Sequence, residues 1–207
     1  MASPRHPLPG PFQARAFARQ QLGDHPGAIE DYGQAIALGE PPENQAQYHF
    51  YRGMCFAALG KPDTAADEYT RSIALYPDHP GPYHLRGKIY ASELERFEEA
   101  VADFDKLLAL RPHPEGFQLR GYCRLRLGNA REALPDLHQA RDQAPNAYTS
   151  YLLAWAAAET DDAALFFRSM EETLQAAPDY RQYFLDNEDY ARFRSDPRFQ
   201  RILDAAG

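Results

Sequence analysis

Arginines and acids recur in this 207-residue chain at a spacing that could serve ligand binding or structure. Each of four arginines is followed by an acid sixteen or seventeen residues later; the pairs are Arg15 and Asp31, Arg52 and Glu68, Arg86 and Asp103, and Arg120 and Asp136. A row of arginines could bind phosphates or carboxylates. Because every arginine has its own acid, we favour ion pairs that align two helices, whose main effect when partly buried is on specificity.

The sequence lacks the residue patterns that are typical of metal sites and catalytic sites. No two of the seven histidines have the i, i+4 spacing of a zinc helix, and neither Cys55 nor Cys123 lies at ligand spacing from another ligand. The acidic run 186–189 lacks the central glycine of a calcium loop. Phosphate loops and nucleophile elbows are absent from the sequence. We therefore expect no catalytic residue, no metal and no cofactor.

Composition and charge narrow the class of partner. The formal net charge is -8, from 22 Lys+Arg and 30 Asp+Glu, and an acidic chain repels nucleic-acid phosphates. No apolar run approaches the about 18 residues of a membrane helix. The first residues have no apolar segment typical of a secretory signal. We expect a cytoplasmic protein with reduced thiols, no nucleic-acid partner and no membrane span.

A 34-residue repeat organises the chain. Arg52-Gly53, Arg86-Gly87 and Arg120-Gly121 are spaced 34 residues apart, and a fourth copy begins at Arg15-Ala16. Each copy then has an alanine, a bulky apolar residue four positions later and a closing proline or Pro-rich turn. The alanines are Ala28, Ala65, Ala100 and Ala133, the bulky residues are Tyr32, Tyr69, Phe104 and Leu137, and the prolines are Pro77, Pro112 and Pro145. This pattern resembles the tetratricopeptide-repeat (TPR) family.

The resemblance implies an all-α fold, a right-handed superhelical solenoid of antiparallel helix pairs with C-terminal capping helices. We predict a Pro-rich arm at 1–8, four repeats and a degenerate fifth over 9–179, and a helical cap at 180–207. In the fifth repeat Phe166 replaces the alanine. Pro135 falls inside the second helix of the fourth repeat, where it should kink that helix or delay its start.

The first helix of each repeat lines the concave surface in this family, and partners bind there. The matching positions are Phe17, Gln47, Phe50, Met54, His84, Lys88, Gln118, Tyr122, Arg126, Tyr151 and Trp155. Aromatic residues among them could anchor a partner, and the basic residues give the surface a positive centre. For Tyr151 and Trp155, packing against the aromatic tail is an equal alternative. The positions do not match the Lys and Asn pattern of family members that bind chaperone tails.

Four functions follow as hypotheses. The leading one is a scaffold or adaptor that binds a peptide or helical segment of a partner protein in the groove. The others are a dedicated chaperone or inhibitor of one protein, a homo-oligomerising structural protein, and an enzyme without a recognisable motif. The arm from Pro4 to Pro11 could be a polyproline ligand or a disordered tail.

Overall fold

The chain is helical throughout the described part of the computed structural model, which covers residues 10–206. Within that range there is no strand. The α-helices are α1 Pro11–Gln21, α2 His25–Ala37, α3 Pro42–Ala58, α4 Pro62–Leu75, α5 Pro80–Ser92, α6 Phe97–Leu110, α7 Pro114–Arg126, α8 Ala130–Gln143, α9 Ala147–Glu159, α10 Ala163–Ala176, α11 Arg181–Asp186 and α12 Pro197–Ala205. Two 3-10 segments, Pro178–Tyr180 and Glu188–Phe193, flank α11. Over residues 10–206, no helix is both long and apolar enough to cross a membrane.

Proline and glycine set the ends of many helices. A proline occupies the first or second position of α1, α2, α3, α4, α5 and α7, where its missing N–H costs no hydrogen bond. Gly23, Gly60 and Gly128 have φ values of +80°, +66° and +74° in the turns between paired helices. This left-handed conformation ends the first helix of a pair.

Two compact units make up the chain, divided between Arg96 and Phe97. In the first unit, α1 to α5 pack as sequential neighbours. Their core is built from Ala16, Tyr32 and Tyr48 on one side and Ala65, Tyr69 and Ile89 on the other, all buried. A methyl group added to Gly53 would lie 2.5 Å from the Tyr69 ring. The absence of a side chain at Gly53 therefore permits the close approach of α3 to α4.

The second unit contains α6 to α12, and its core changes character toward its end. Around α7, α8 and α9 the core is aliphatic, with Leu125, Leu137 and Leu153 buried. Around α10 it is aromatic, and the tail supplies Phe184, Tyr190, Phe193 and Phe199 to it. The segment after α10 therefore covers the last helix pair, as a capping segment does in a solenoid.

Two helix starts bear on the repeat pattern. Helix α8 begins at Ala130, so Pro135 lies inside it and does not delay its start. The proline lacks the N–H of a helical hydrogen bond, and its ring crowds the preceding turn. Helix α3 begins at Pro42, ten residues before Arg52. There Asn44 and Gln45 donate hydrogen bonds to the side chain and backbone oxygens of Glu40, which stabilises an extra turn.

Candidate functional site

Arg15 is bound to Asp31 inside the first helix pair. Its Nε and Nη2 donate to the two carboxylate oxygens at 2.8 and 2.6 Å. Arg19, one turn later, also donates to Asp31 at 2.9 Å. Asp31 is 1% exposed, and the hydrogen bond from Arg15 lowers the pKa of its carboxyl against the opposing effect of burial. Both guanidinium groups therefore neutralise a buried acid.

The same arrangement returns in the fourth repeat. Arg120 donates to both oxygens of Asp136 at 2.6 and 2.9 Å, and Arg124 donates to it at 2.7 Å. The second arginine of each pair, Arg19 or Arg124, was not predicted from the sequence. Its spacing of four residues from the first puts both arginines on one helix face.

Glu68 gathers a different set of partners in the second repeat. His49 Nδ1 lies 2.8 Å from it, Arg52 lies at 3.5 Å, and Arg71 is also paired with it. Burial raises the pKa of Glu68, but the His49 hydrogen bond and the nearby positive charges outweigh it, so the net pKa is lowered. In the third repeat Asp103 is buried and Arg86 donates to Thr70 at 2.7 Å. Pairing of Arg86 with Asp103 stays a prediction.

A chain of aromatic rings crosses the first helices of the first unit. Phe17, 49% exposed, contacts Tyr51 with ring centroids 6.4 Å apart. Tyr51 contacts Phe50 at 5.5 Å, and Phe50 contacts His79 at 5.3 Å. Gln47 donates a long 3.4 Å hydrogen bond to the Tyr51 hydroxyl. The structure thus joins predicted residues through Tyr51 and His79, which the sequence analysis did not select.

The first unit has two clefts near these helices. A smaller one of about 240 Å³ is lined by Gln47, Phe50 and His79 together with Glu43, Ser72 and Tyr76. A larger one of about 570 Å³ lies between α3, α4 and α5 and is lined by Tyr69, Leu85, Lys88 and Ser92. Met54 packs half-buried against the core cluster that contains Tyr69. The larger cleft therefore has apolar walls and a lysine at its edge.

His84 and Lys88 lie one turn apart on α5. His84 is half-buried and Lys88 is exposed. Residues four apart on a helix share a face, so both belong to the side of α5 that carries Leu85 and Ser92 toward the larger cleft.

Arg126 and Tyr122 form a compact group in the second unit. The Arg126 guanidinium lies over the Phe97 ring at 4.4 Å and donates to the Tyr122 hydroxyl at 2.8 Å. The Phe97 and Tyr122 rings meet edge to face at 6.3 Å. A cation held over a ring in this way is fixed in position and keeps its charge.

Gln118 links neighbouring first helices. It donates to Thr149 Oγ1 at 2.5 Å and to Asn146 Oδ1 at 3.2 Å. Asn146 is the N-cap of α9 and accepts the Thr149 backbone N–H. The amide of Gln118 therefore fixes α7 against α9, and its carbonyl oxygen is the part that could meet a ligand.

Tyr151 and Trp155 have different surroundings on α9. Tyr151 contacts the rings of Tyr180, Tyr183 and Phe184 at 5.4, 6.1 and 5.9 Å. Packing against the tail, one of the two alternatives from sequence, is what the structure gives for Tyr151. Trp155 contacts the aliphatic core on one side and donates from Nε1 to Glu159 at 2.6 Å.

Metal and thiol chemistry have no geometric support in the described part of the chain. Between residues 10 and 206, no group of three or more His, Cys, Asp or Glu could hold a metal ion. Cys55 and Cys123 are both buried thiols. Burial raises the pKa of Cys55 to about 11 and that of Cys123 to about 12, so neither supplies a reactive thiolate near neutral pH.

Comparison with known proteins identifies the repeat. A family model described as "Tetratricopeptide repeat" matches residues 14–80, and a second with the same description matches residues 81–114. The photosystem I assembly protein Ycf3 of Rippkaea orientalis is 30% identical over 97 residues, which cover 44% of this chain and 56% of that protein. The chain thus spans about half the length of this relative.

Solved structures share the fold over a longer range. A crystal structure of MamA superposes with a TM-score of 0.72 at 14% identity, covering 83% of this chain and 93% of that one. YrrB, described as a TPR protein with an unusual peptide-binding site, gives 0.71 at 18% identity, covering 86% of this chain and 91% of that one. At these identities the likeness establishes the fold.

Proposed function

Because the chain belongs to the tetratricopeptide-repeat family, we propose that it is a protein-interaction scaffold that binds a segment of a partner on the faces of its first helices. The observation that carries the proposal is the aromatic chain from Phe17 through Tyr51 to Phe50. Phe50 contacts the ring of Tyr69 at 6.0 Å, and Tyr69 lines the 570 Å³ cleft that Lys88 borders. Aromatic anchors next to a cleft are typical of binding hot spots, since they bury a large area with few rotatable bonds.

The chemistry of the face favours a particular kind of segment. In the first unit, Lys88 is exposed at the cleft edge and His84 lies one turn before it. A segment with apolar side chains for the aromatic anchors and an acidic group for Lys88 would match this face of the first unit. Such a segment can bind as a helix or in an extended form.

A scaffold is also the role that the relatives suggest. Ycf3 is named as an assembly protein and YrrB as a protein with a peptide-binding site, and these descriptions motivate a binding role here. Buried ion pairs and buried thiols give no support to an enzymatic alternative. We propose an adaptor role with a protein partner and without a nucleic-acid partner.

The test uses affinity capture from a native lysate with full-length protein. Lys88→Glu reverses an exposed charge at the cleft and should leave the fold intact, and Phe50→Ala removes the central ring. We expect both variants to lose a protein that the wild type captures. Lys106→Glu, an equally exposed charge reversal on α6, is the matched control. If all variants capture the same proteins and have unchanged circular dichroism spectra, the face that carries Phe50 and Lys88 is not the partner-binding surface.

A dedicated chaperone for one protein is the second candidate. The support is the same face, since a permanent partner would cover the exposed Phe17 ring. Co-expression separates the two roles. A permanent partner raises the soluble yield and melting temperature of both chains together, whereas a transient partner leaves them independent.

A further inference from the structure

The smaller cleft of the first unit has aromatic walls and a single acidic residue at its rim. It encloses about 240 Å³ between the start of α3, the end of α4 and the start of α5. The ring of His79 contacts that of Phe50 at 5.3 Å and that of Tyr76 at 6.2 Å, with the ring planes inclined by 54° and 55°. All three residues line the cleft, which we call the His79 cleft. Its walls are therefore inclined rings and not a flat stack.

The floor of the His79 cleft is buried and its polar groups are paired. Ala46 and Ser72 are almost completely buried, and Ser72 Oγ donates to the backbone oxygen of Ala46 at 2.7 Å. Phe50 is fixed in position by the rings of Tyr51 and Tyr69, at 5.5 and 6.0 Å. A ligand would therefore find preformed walls, and its polar contacts would come from the rim.

The rim of the cleft carries negative charge and hydrogen-bond acceptors. Glu43 is exposed in the first turn of α3, and no residue within 10–206 forms a salt bridge with its carboxylate. Asn44 and Gln47, which also line the cleft, donate from their amide groups to Glu40 and Tyr51. Their carbonyl oxygens are thus left as acceptors. This combination suits a cation that has N–H donors.

His79 does not oppose a cation at neutral pH. Burial lowers the pKa of its imidazole, and its Nδ1 accepts the Gly81 backbone N–H at 3.2 Å, so the proton of the neutral ring is on Nε2. The faces of the Phe50 and Tyr76 rings carry the negative potential that attracts a cation within about 6 Å. The net charge of -8 also favours a basic ligand over an acidic one.

We propose that the His79 cleft binds a lysine side chain of the partner segment, an inference that rests on the proposed function because the partner supplies the lysine. An ammonium group is compact and has three N–H donors, which match Glu43 and the amide oxygens at the rim. A trimethylated ammonium has no donor for them. A guanidinium is planar and prefers to stack on a ring face or to bind a carboxylate with two N–H groups, whereas these walls are inclined to one another.

Titration with single amino-acid derivatives tests the ligand. Isotope-labelled full-length protein is titrated with N-acetyl-lysine amide, and backbone amide chemical shifts are recorded by NMR. N-acetyl-norleucine amide, which has the same aliphatic chain without the ammonium group, is the control ligand. We expect saturable shifts at Gln47, Phe50 and His79 with the lysine derivative, and binding at least about 10-fold weaker with the norleucine derivative. Equal binding of the two, or shifts confined to other parts of the chain, overturns the proposal.

Related cations identify which positive group the cleft prefers. The trimethyllysine and arginine derivatives, prepared as the same N-acetylated amides, should each bind at least about 3-fold more weakly than the lysine derivative. Tighter binding of the trimethyllysine derivative would assign the cleft to quaternary ammonium groups, and tighter binding of the arginine derivative would assign it to guanidinium groups. Either result overturns the choice of lysine.

Variants of the rim and the wall locate the site. Glu43→Gln should weaken binding of the lysine derivative about 3- to 5-fold, and Glu98→Gln, at an exposed first-turn glutamate of α6, is the matched control. Tyr76→Ala removes a 40% exposed ring and should weaken binding about 3-fold, whereas Tyr76→Phe keeps the ring and should bind like the wild type. Circular dichroism checks that each variant is folded. Undiminished binding by folded Glu43→Gln or Tyr76→Ala protein contradicts the proposal.

Failure of this proposal can be distinguished from failure of the scaffold proposal. The titration needs no captured protein, and it changes neither Phe50 nor Lys88. Capture that depends on Lys88, combined with no saturable binding of the lysine derivative, would leave the scaffold and overturn the lysine site. Binding of the lysine derivative by a protein that captures no partner would overturn the assignment of the lysine to a partner segment.

Discussion

Phe166 and Phe193 stack face to face, with ring centroids 4.0 Å apart and planes inclined by 14°. Phe166 stands where the other repeats have a small alanine, and Phe193 comes from the segment that covers α10. The large ring provides a surface on which three tail rings pack, those of Phe184, Tyr190 and Phe193. The replacement of alanine by Phe166 in the fifth repeat therefore provides the contact through which the tail packs against α10.

Removing either ring should destabilise the second unit. Phe166 is fully buried and Phe193 is 7% exposed, so Phe166→Ala and Phe193→Ala should each cost about 3–5 kcal/mol. The result for Phe166→Ala would be notable because alanine is the ordinary residue of the repeat at this position. Urea denaturation measures the change, and Tyr183→Ala at an exposed ring of the same segment is the control, with a small effect. A neutral Phe166→Ala would show that the cap does not depend on this stack.

Sequence spacing predicted the repeat and the capping tail because each rests on local chemistry. Gly60 and Gly128, in the turns between paired helices, adopt the left-handed conformation that favours glycine. The spacing could not predict which of the first-helix side chains face solvent and which pack against other parts of the chain. The same helix-face spacing places Phe17 toward solvent and Tyr151 against the tail, because the deciding neighbours come from distant parts of the chain.

The paired arginines around Asp136 should show strong coupling. Asp136 is 3% exposed, and either Arg120 or Arg124 alone can still neutralise it. The Arg120→Ala and Arg124→Ala single changes should therefore be mild, while the double change leaves a buried unpaired carboxylate at a cost of about 3–5 kcal/mol. Urea denaturation of the four proteins in a double-mutant cycle measures the coupling. Simple additivity would mean that the carboxylate finds water or another partner.

His79 should make stability depend on pH. Its Nδ1 accepts a hydrogen bond from the Gly81 backbone N–H as the N-cap of α5, and burial lowers the pKa of its imidazole. The folded protein thus favours neutral His79. The stabilisation is complete above the unfolded pKa of about 6.5 and is lost as pH falls from there through the lower folded pKa.

An asparagine at this position separates capping from titration. His79→Asn keeps a cap acceptor that cannot be protonated, so it should reduce the loss of stability between pH 7 and pH 5. His79→Ala should also lower stability at pH 7, by about 1 kcal/mol. Thermal melts across this pH range give the comparison. An unchanged pH profile in His79→Asn would assign the acid sensitivity to other groups.

Two glycines should respond oppositely to alanine. A methyl group on Gly53 would lie 2.5 Å from the buried Tyr69 ring, whereas one on Gly33 would meet nothing within 4 Å. Gly33→Ala, inside α2, should stabilise the protein by about 0.5–1 kcal/mol because alanine is the better helix former. Gly53→Ala gains the same propensity but should still lose about 1–3 kcal/mol through overpacking. Urea denaturation of the two variants decides whether close approach of α3 to α4 requires glycine, and stabilisation by both would show that Tyr69 moves aside freely.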